Sequence, residues 1–129
     1  MAKDQHAAYP TEAEVDTFRV LQPLINSALT EMREFAKKKQ DGVVNGTKVQ
    51  MLNRLFEDVR KVLAKEPSSR YLDSLNADEL PQNSDVVLIL GQYQAAMNNF
   101  AGRFYNDELG NRFWITQERL KAGRARQRE

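Results

Sequence analysis

Apolar residues recur at spacings of three and four along most of this chain, the period of a helix with one buried side. Thr11-Glu12-Ala13-Glu14 opens the first such run in the form of a capping box, where hydroxyl and carboxylate each serve an otherwise unpaired amide. Val15, Phe18, Leu21, Leu24, Ile25, Ala28, Leu29, Met32, Phe35 and Ala36 then keep one phase, which predicts a helix over 12–39. Pro23 lies inside the run but on its polar side, and the stripe has the same phase before and after it. One long helix bent at the proline is therefore expected rather than two. Lys37, Lys38 and Lys39 suit the negative end of its dipole.

Residues 40–46, "QDGVVNG", pair turn-forming Asp-Gly and Asn-Gly around only Val43-Val44, too little for a strand. Thr47 is the expected cap of a second helix over 48–65, with Val49, Leu52, Leu55, Phe56, Val59, Val62 and Leu63 on one face. Arg54 with Asp58, and Glu57 with Lys61, form i,i+4 pairs on the other. Pro67 ends this helix. A short capped helix over 69–75 should tuck Tyr71, Leu72 and Leu75 under the bundle, and 76–83 reads as a loop.

The stretch "SDVVLILGQYQAAMNNFAG", 84–102, has no charged residue after Asp85. Its apolar run, Val86 to Leu90, is far short of the roughly 20 residues a membrane span needs. Val86, Ile89, Leu90, Tyr93, Ala96, Met97, Phe100, Ala101 and Phe104 instead share one core-facing arc, so a central helix over 85–106 is expected, capped by Ser84-Asp85. The opposite side carries Val87, Leu88, Gly91, Ala95, Asn98, Gly102 and Tyr105 where a surface helix would carry Lys and Glu. Gly inside a helix costs about 1 kcal/mol relative to Ala, yet two are kept. This side reads first as a second core face, covered by the chain itself. The sharper reading is a surface for a partner or a second copy.

Leu109, Phe113, Thr116 and Leu120 keep helical spacing, which predicts a weaker helix over about 112–121, capped or broken near Gly110-Asn111. Trp114, the only tryptophan, is expected to anchor this segment to the core; exposed, it would be a binding anchor. The end from Gly123 onward is expected to fray.

These elements describe an all-α, single-domain bundle of four to five helices over 11–121, with a flexible leader 1–10 and a basic flexible tail 122–129. A length of 129 residues and 41% hydrophobic content agree with one modest core. The chain has no cysteine, which removes disulfides, thiolate metal sites and cysteine nucleophiles. Its polar start lacks a secretory signal, so a cytoplasmic location is expected, and Asn45-Gly46-Thr47 reads as a turn rather than a glycosylation site.

The net charge of +1 conceals a division. Residues 112–129 hold six basic against two acidic residues, net +4, and the other 111 hold 13 against 16, net −3. Arg119, Lys121, Arg124, Arg126 and Arg128 are candidate phosphate contacts, although a solubilising end is the plainer account. No catalytic set emerges. His6 reads as solvated and Ser68 and Ser69 as helix caps. Glu31, Glu34, Glu57 and Asp58 fall on polar faces rather than converging on a metal, so neither metal nor cofactor is expected. The expected function is a non-catalytic protein-interaction module, acting as adaptor, accessory subunit, inhibitor or regulator. The alternative is a nucleic-acid-associated subunit that uses the basic tail.

Overall fold

The computed structural model describes residues 6–106 and 112–128, with side chains placed as far as Gly123. Its helices are α1 (Glu12–Lys38), α2 (Gly46–Val62), α3 (Asn83–Phe104) and α4 (Gln117–Arg128). Between α2 and α3 lies a 3-10 turn, Pro67–Tyr71, and between α3 and α4 two short strands, β1 (Tyr105–Asn106) and β2 (Phe113–Trp114). Helices dominate, and one continuous apolar cluster joins α1, α2, α3 and the segment that links the last two.

The expected capping box starts α1: Thr11 Oγ1 accepts from the Glu14 amide at 3.1 Å, and Glu14 Oε1 accepts from the Thr11 amide at 3.0 Å. The helix runs unbroken through Pro23, which is exposed. There the Arg19 carbonyl, deprived of its intrahelical donor, can turn to water. Val15, Phe18, Leu21, Ile25, Leu29 and Met32 are buried. Leu24 and Phe35, at the margins of the stripe, are 47% and 39% exposed. The Lys48 ammonium lies 4.3 Å from the centre of the Phe35 ring and partly covers it.

Asn45, not Thr47, caps α2, with its Oδ1 accepting from the Lys48 amide at 2.9 Å. The helix stops at Val62 rather than at 65. The expected helix over 69–75 is replaced by the 3-10 turn and an extended stretch. Asn53 explains the extension: its side-chain amide donates to the Leu75 carbonyl at 2.9 Å and accepts from the Leu75 amide at 2.8 Å, as a neighbouring strand would. Leu72 and Leu75 are buried as expected, but Tyr71 is 64% exposed. Ser68 and Ser69 do not cap, because they lie within the turn, whose N-cap is Glu66.

The Gln22–Asn98 and Asn26–Gln94 side-chain pairs run in opposite chain directions, so α1 and α3 are antiparallel. Lys65 with Glu14 and Lys48 with Phe35 show the same for α1 and α2. Helices α2 and α3 are therefore parallel, which requires the linking segment to cross back along the bundle. It is tied at its end where the Val44 amide donates to the Pro81 carbonyl and the Asn83 amide to the Gly42 carbonyl, each at 2.8 Å. Gly42 leaves room at this crossing for the Asn83 side chain, since a Cβ there would stand 2.8 Å from Nδ2 and the amide would have to shift. Helix α3 starts one residue before the expected cap: Gln82 is its N-cap, and Asp85 Oδ2 accepts from the Gln82 amide at 3.1 Å.

Phe56 of α2 and Tyr93 of α3 stack with ring centres 4.0 Å apart, and neither is exposed. The Tyr93 hydroxyl accepts from Arg60 Nη1 at 2.7 Å and donates to the Asp73 carbonyl at 3.0 Å. Burial raises the pKa of this phenol above its ordinary value, and the Arg60 hydrogen bond opposes the rise only in part. A raised value means that Tyr93 stabilises the fold fully below the unfolded-chain value of about 10, and that the contribution is lost as pH climbs through the higher folded value. The melting temperature should stay level towards pH 10 and fall beyond it. Tyr93→Phe, less stable at neutral pH, should show a shallower alkaline loss; equal alkaline slopes in a pH series of thermal melts would assign that loss to other groups.

The chain end departs most from expectation. In place of a helix beginning at 112, Phe113 and Trp114 pair antiparallel with Asn106 and Tyr105. Thr116, 4% exposed, accepts the Arg119 amide on its hydroxyl and starts α4, which continues to Arg128 where fraying was expected. The expected break at Gly110-Asn111, and Leu109, lie outside the described residues. The Gln117 amide donates to the Pro10 carbonyl at 2.9 Å, and its side chain donates to the Tyr9 carbonyl at 2.8 Å. The Glu118 carboxylate accepts from the Glu12 amide at 3.1 Å, placing negative charge at the start of α1. Tyr9 packs edge-on against Phe104, and His6 is half-buried against Tyr9 rather than solvated.

Candidate interaction surface

Helix α3 turns its apolar arc inward: Val86, Leu90, Tyr93, Ala96, Met97, Phe100 and Phe104 are buried. Its other side is open, which overturns the reading of a helix covered on two sides by its own chain. Leu88 is 65% exposed, and Ala95, Asn98 and Gly102 are exposed as well. Val87 and Gly91 are half-buried at the edge facing α1. A Cβ built on Gly91 or Gly102 would meet nothing within 4 Å, so these glycines are not made necessary by a neighbouring backbone of this chain. With α2 and the crossing segment on one side and α1 on the other, Leu88, Ala95, Asn98 and Gly102 on the third stay exposed among the described residues.

The two charged residues of α3 stand at its ends, and both are engaged. Asp85 caps the first turn. Arg103 is drawn towards Glu66, 2.7 Å away and only 5% exposed, and lies over the Phe104 ring at 4.9 Å. The length between them is left uncharged. Across the α1 edge, Gln94 Nε2 donates to Asn26 Oδ1 at 3.0 Å, and Gln22 Nε2 approaches Asn98 Oδ1 at 3.5 Å. These amides satisfy one another at the rim without adding charge.

The hairpin joins two candidates that stood apart in the sequence. Tyr105, 38% exposed, is the register partner of Trp114, and their rings lie 5.3 Å apart. Trp114 is half-buried, with one side against Phe18 and Phe100 at 5.3 and 6.0 Å. Its remaining surface lines an open cleft of about 440 Å³ with Arg19, Gln22, Tyr105, Arg112 and Phe113. Trp114 thus serves both expected roles in part, as core anchor and as exposed aromatic surface. A second open cleft, of about 380 Å³, lies at the other end of the α1–α3 seam and is lined by Arg33, Lys37, Gln40, Ser84 and Val87 among others.

Of the α1 members of this surface, Arg19, Gln22, Asn26, Arg33 and Lys37, only Lys37 was singled out from the sequence, and that as a helix end. They recur at spacings of three, four and seven, and none is acidic. Plotting the sign of charge around the helix, rather than polarity alone, would have found them.

The basic tail is brought together differently. Arg119 lies 4.5 Å from the centre of the Phe113 ring and Lys121 is exposed, while Arg124, Arg126 and Arg128 occupy the last turns of α4. Among the described residues no group of three His, Cys, Asp or Glu could hold a metal ion, and no helix is long and apolar enough to cross a membrane. Compared with protein-family models, curated proteins and solved structures, the chain matches none. Its own geometry is what the functional reading rests on.

Proposed function

We propose that this chain is a non-catalytic protein-interaction module of the cytoplasm, an adaptor, accessory subunit, inhibitor or regulator. It acts through the uncharged side of α3 together with the Trp114 cleft. What carries the reading is the exposure of Leu88 at 65% on a helix side with no charge between Asp85 and Arg103, with the Tyr105–Trp114 pair following the end of the helix. An apolar strip of this kind, rimmed by paired amides and arginines, has the make-up of an interface core with a polar rim. The test is assembly in the native cell extract, treated with nuclease, of the wild type against Leu88→Glu. A stoichiometric protein partner or second copy that is retained by the first and lost by the second supports the module; a partner retained equally by both removes this face from the interface.

One observation favours a second reading, a nucleic-acid-associated subunit. Helix α4 continues through Arg128, so Arg119, Lys121, Arg124, Arg126 and Arg128 share one short helix in which Glu118 is the only acid. Four phosphate contacts would make affinity fall about tenfold for each doubling of salt. Deleting 122–129 should then abolish oligonucleotide binding in a fluorescence-anisotropy titration. Binding indifferent to both salt and deletion would end this reading.

A further inference from the structure

The face just described has a charge pattern that specifies its occupant. Arg19 stands in the cleft beside Trp114, and Arg33 with Lys37 in the cleft at the opposite end. Among the described residues no carboxylate pairs with Arg19 or Arg33, whereas Lys37 is shared with Glu34 at 3.1 Å. Arg19 and Arg33 are fourteen residues apart on one helix, about 21 Å at 1.5 Å per residue. Along the seam between them run the neutral amide pairs, Leu88 and Ala95 are exposed on the adjoining side of α3, and none of the described residues lining either cleft is acidic. The described surface carries an arginine at each end and no charge along the α3 side between them, on a body whose balance outside 112–129 is acidic.

A second copy of the chain fits this pattern badly. Laid antiparallel, it would bring Arg19 of one copy over Arg33 of the other, and laid parallel it would set each arginine on its own counterpart. Like charges meet in both cases, at a cost that specific interfaces avoid. A nucleic-acid strand fits no better, because regularly spaced phosphates would have to cross an uncharged length with no cation to meet them. Among the described residues the length between the clefts is bounded by helices α1 and α3, which offer a strand no backbone hydrogen bonds. A helix suits its length and can set an apolar side on the exposed Leu88.

We propose that the α1–α3 face receives an acidic amphipathic helix of about four turns, its apolar side on Leu88 and Ala95 and its carboxylates in the clefts of Arg19 and Arg33. The proposal rests on the interaction-module reading and adds the chemistry of the partner. The Arg19 cleft also places that partner against Trp114, the only tryptophan, whose emission reports occupancy directly.

The test is selection on the full-length protein from a displayed library of amphipathic 18-residue helices, with apolar positions constant and polar positions drawn from Glu, Gln and Lys. Survivors are then titrated against Trp114 fluorescence. Expected are sequences with Glu at both ends, saturable emission changes, loss of binding with Leu88→Glu, and about five- to tenfold weakening with Arg19→Glu or Arg33→Glu, each checked for retained helicity. Survivors that need Leu88 but carry no excess of Glu, or that bind the arginine variants equally well, keep the interaction face and overturn the acidic partner. Survivors indifferent to Leu88→Glu, or none at all, overturn both. A protein that assembles only with itself or only with an oligonucleotide also overturns the acidic helix.

Discussion

Replacing Phe56 by alanine should cost about 3–5 kcal/mol of stability, the usual range for a buried Phe truncated in a core that cannot collapse. It should lower the melting temperature by roughly 10–20 °C in a domain of this size. Phe56 is fully buried and stacked at 4.0 Å on Tyr93, so its removal leaves a void between the two parallel helices. Filling that void would require Tyr93 to shift, and its hydroxyl is held from both sides by Arg60 and the Asp73 carbonyl. The ring also bears on the crossing segment, because Asn53, three residues before Phe56, clamps Leu75. Urea unfolding and thermal melts followed by circular dichroism measure the loss. A cost below about 1.5 kcal/mol would mean that the core closes over the gap and that the stack is not what joins α2 to α3.

The second large effect concerns assembly rather than folding. Leu88→Glu and Ala95→Glu should leave monomer stability within about 0.5 kcal/mol of the wild type, as exposed substitutions generally do. Either should nevertheless weaken partner binding at least about tenfold by burying an unpaired carboxylate in an apolar contact. Gly91→Ala is the companion measurement. With open space around its Cβ, it should raise helix stability by up to about 1 kcal/mol. Native-like melts together with lost assembly in sedimentation or pull-down place the interface on α3. If Leu88→Glu instead unfolds the protein, the face is buried in solution and α3 is a core helix on both sides.

The stability series and the assembly series probe different links in the chain from sequence to function. Phe56 acts through packing that any bundle of this kind requires. Leu88 acts through a surface that folding leaves uncovered.

Much of the first link was legible in the residues. The capping box at Thr11, the phase of the first stripe across Pro23 and the inward arc from Val86 to Phe104 depend on neighbours within a turn or two, and all appear in the structure. Boundaries moved where a rival side chain captured a backbone group. Asn45 capped ahead of Thr47, the Asp85 carboxylate took the Gln82 amide and moved the start ahead of Ser84, and Asn53 pulled the stretch before Leu75 out of helix. The spacing of Phe113, Thr116 and Leu120 suggested a helix too, but Phe113 and Trp114 found backbone partners in β1, a pairing no local period encodes.

The candidate surface divides along the same line. That 86–102 carries no charge is a property of the sequence alone, as are the cationic positions 19, 33 and 37 of the first helix. That these meet on one face was decided by the antiparallel docking of α1 on α3. That the described part of this face is open was decided by the crossing segment, which sets α2 parallel to α3 and on its buried side. Local periodicity reports how many apolar sides a helix has, because side-chain direction follows from 3.6 residues per turn. It cannot report how many neighbours the fold supplies to cover the sides left over, since that depends on contacts between residues far apart in the chain.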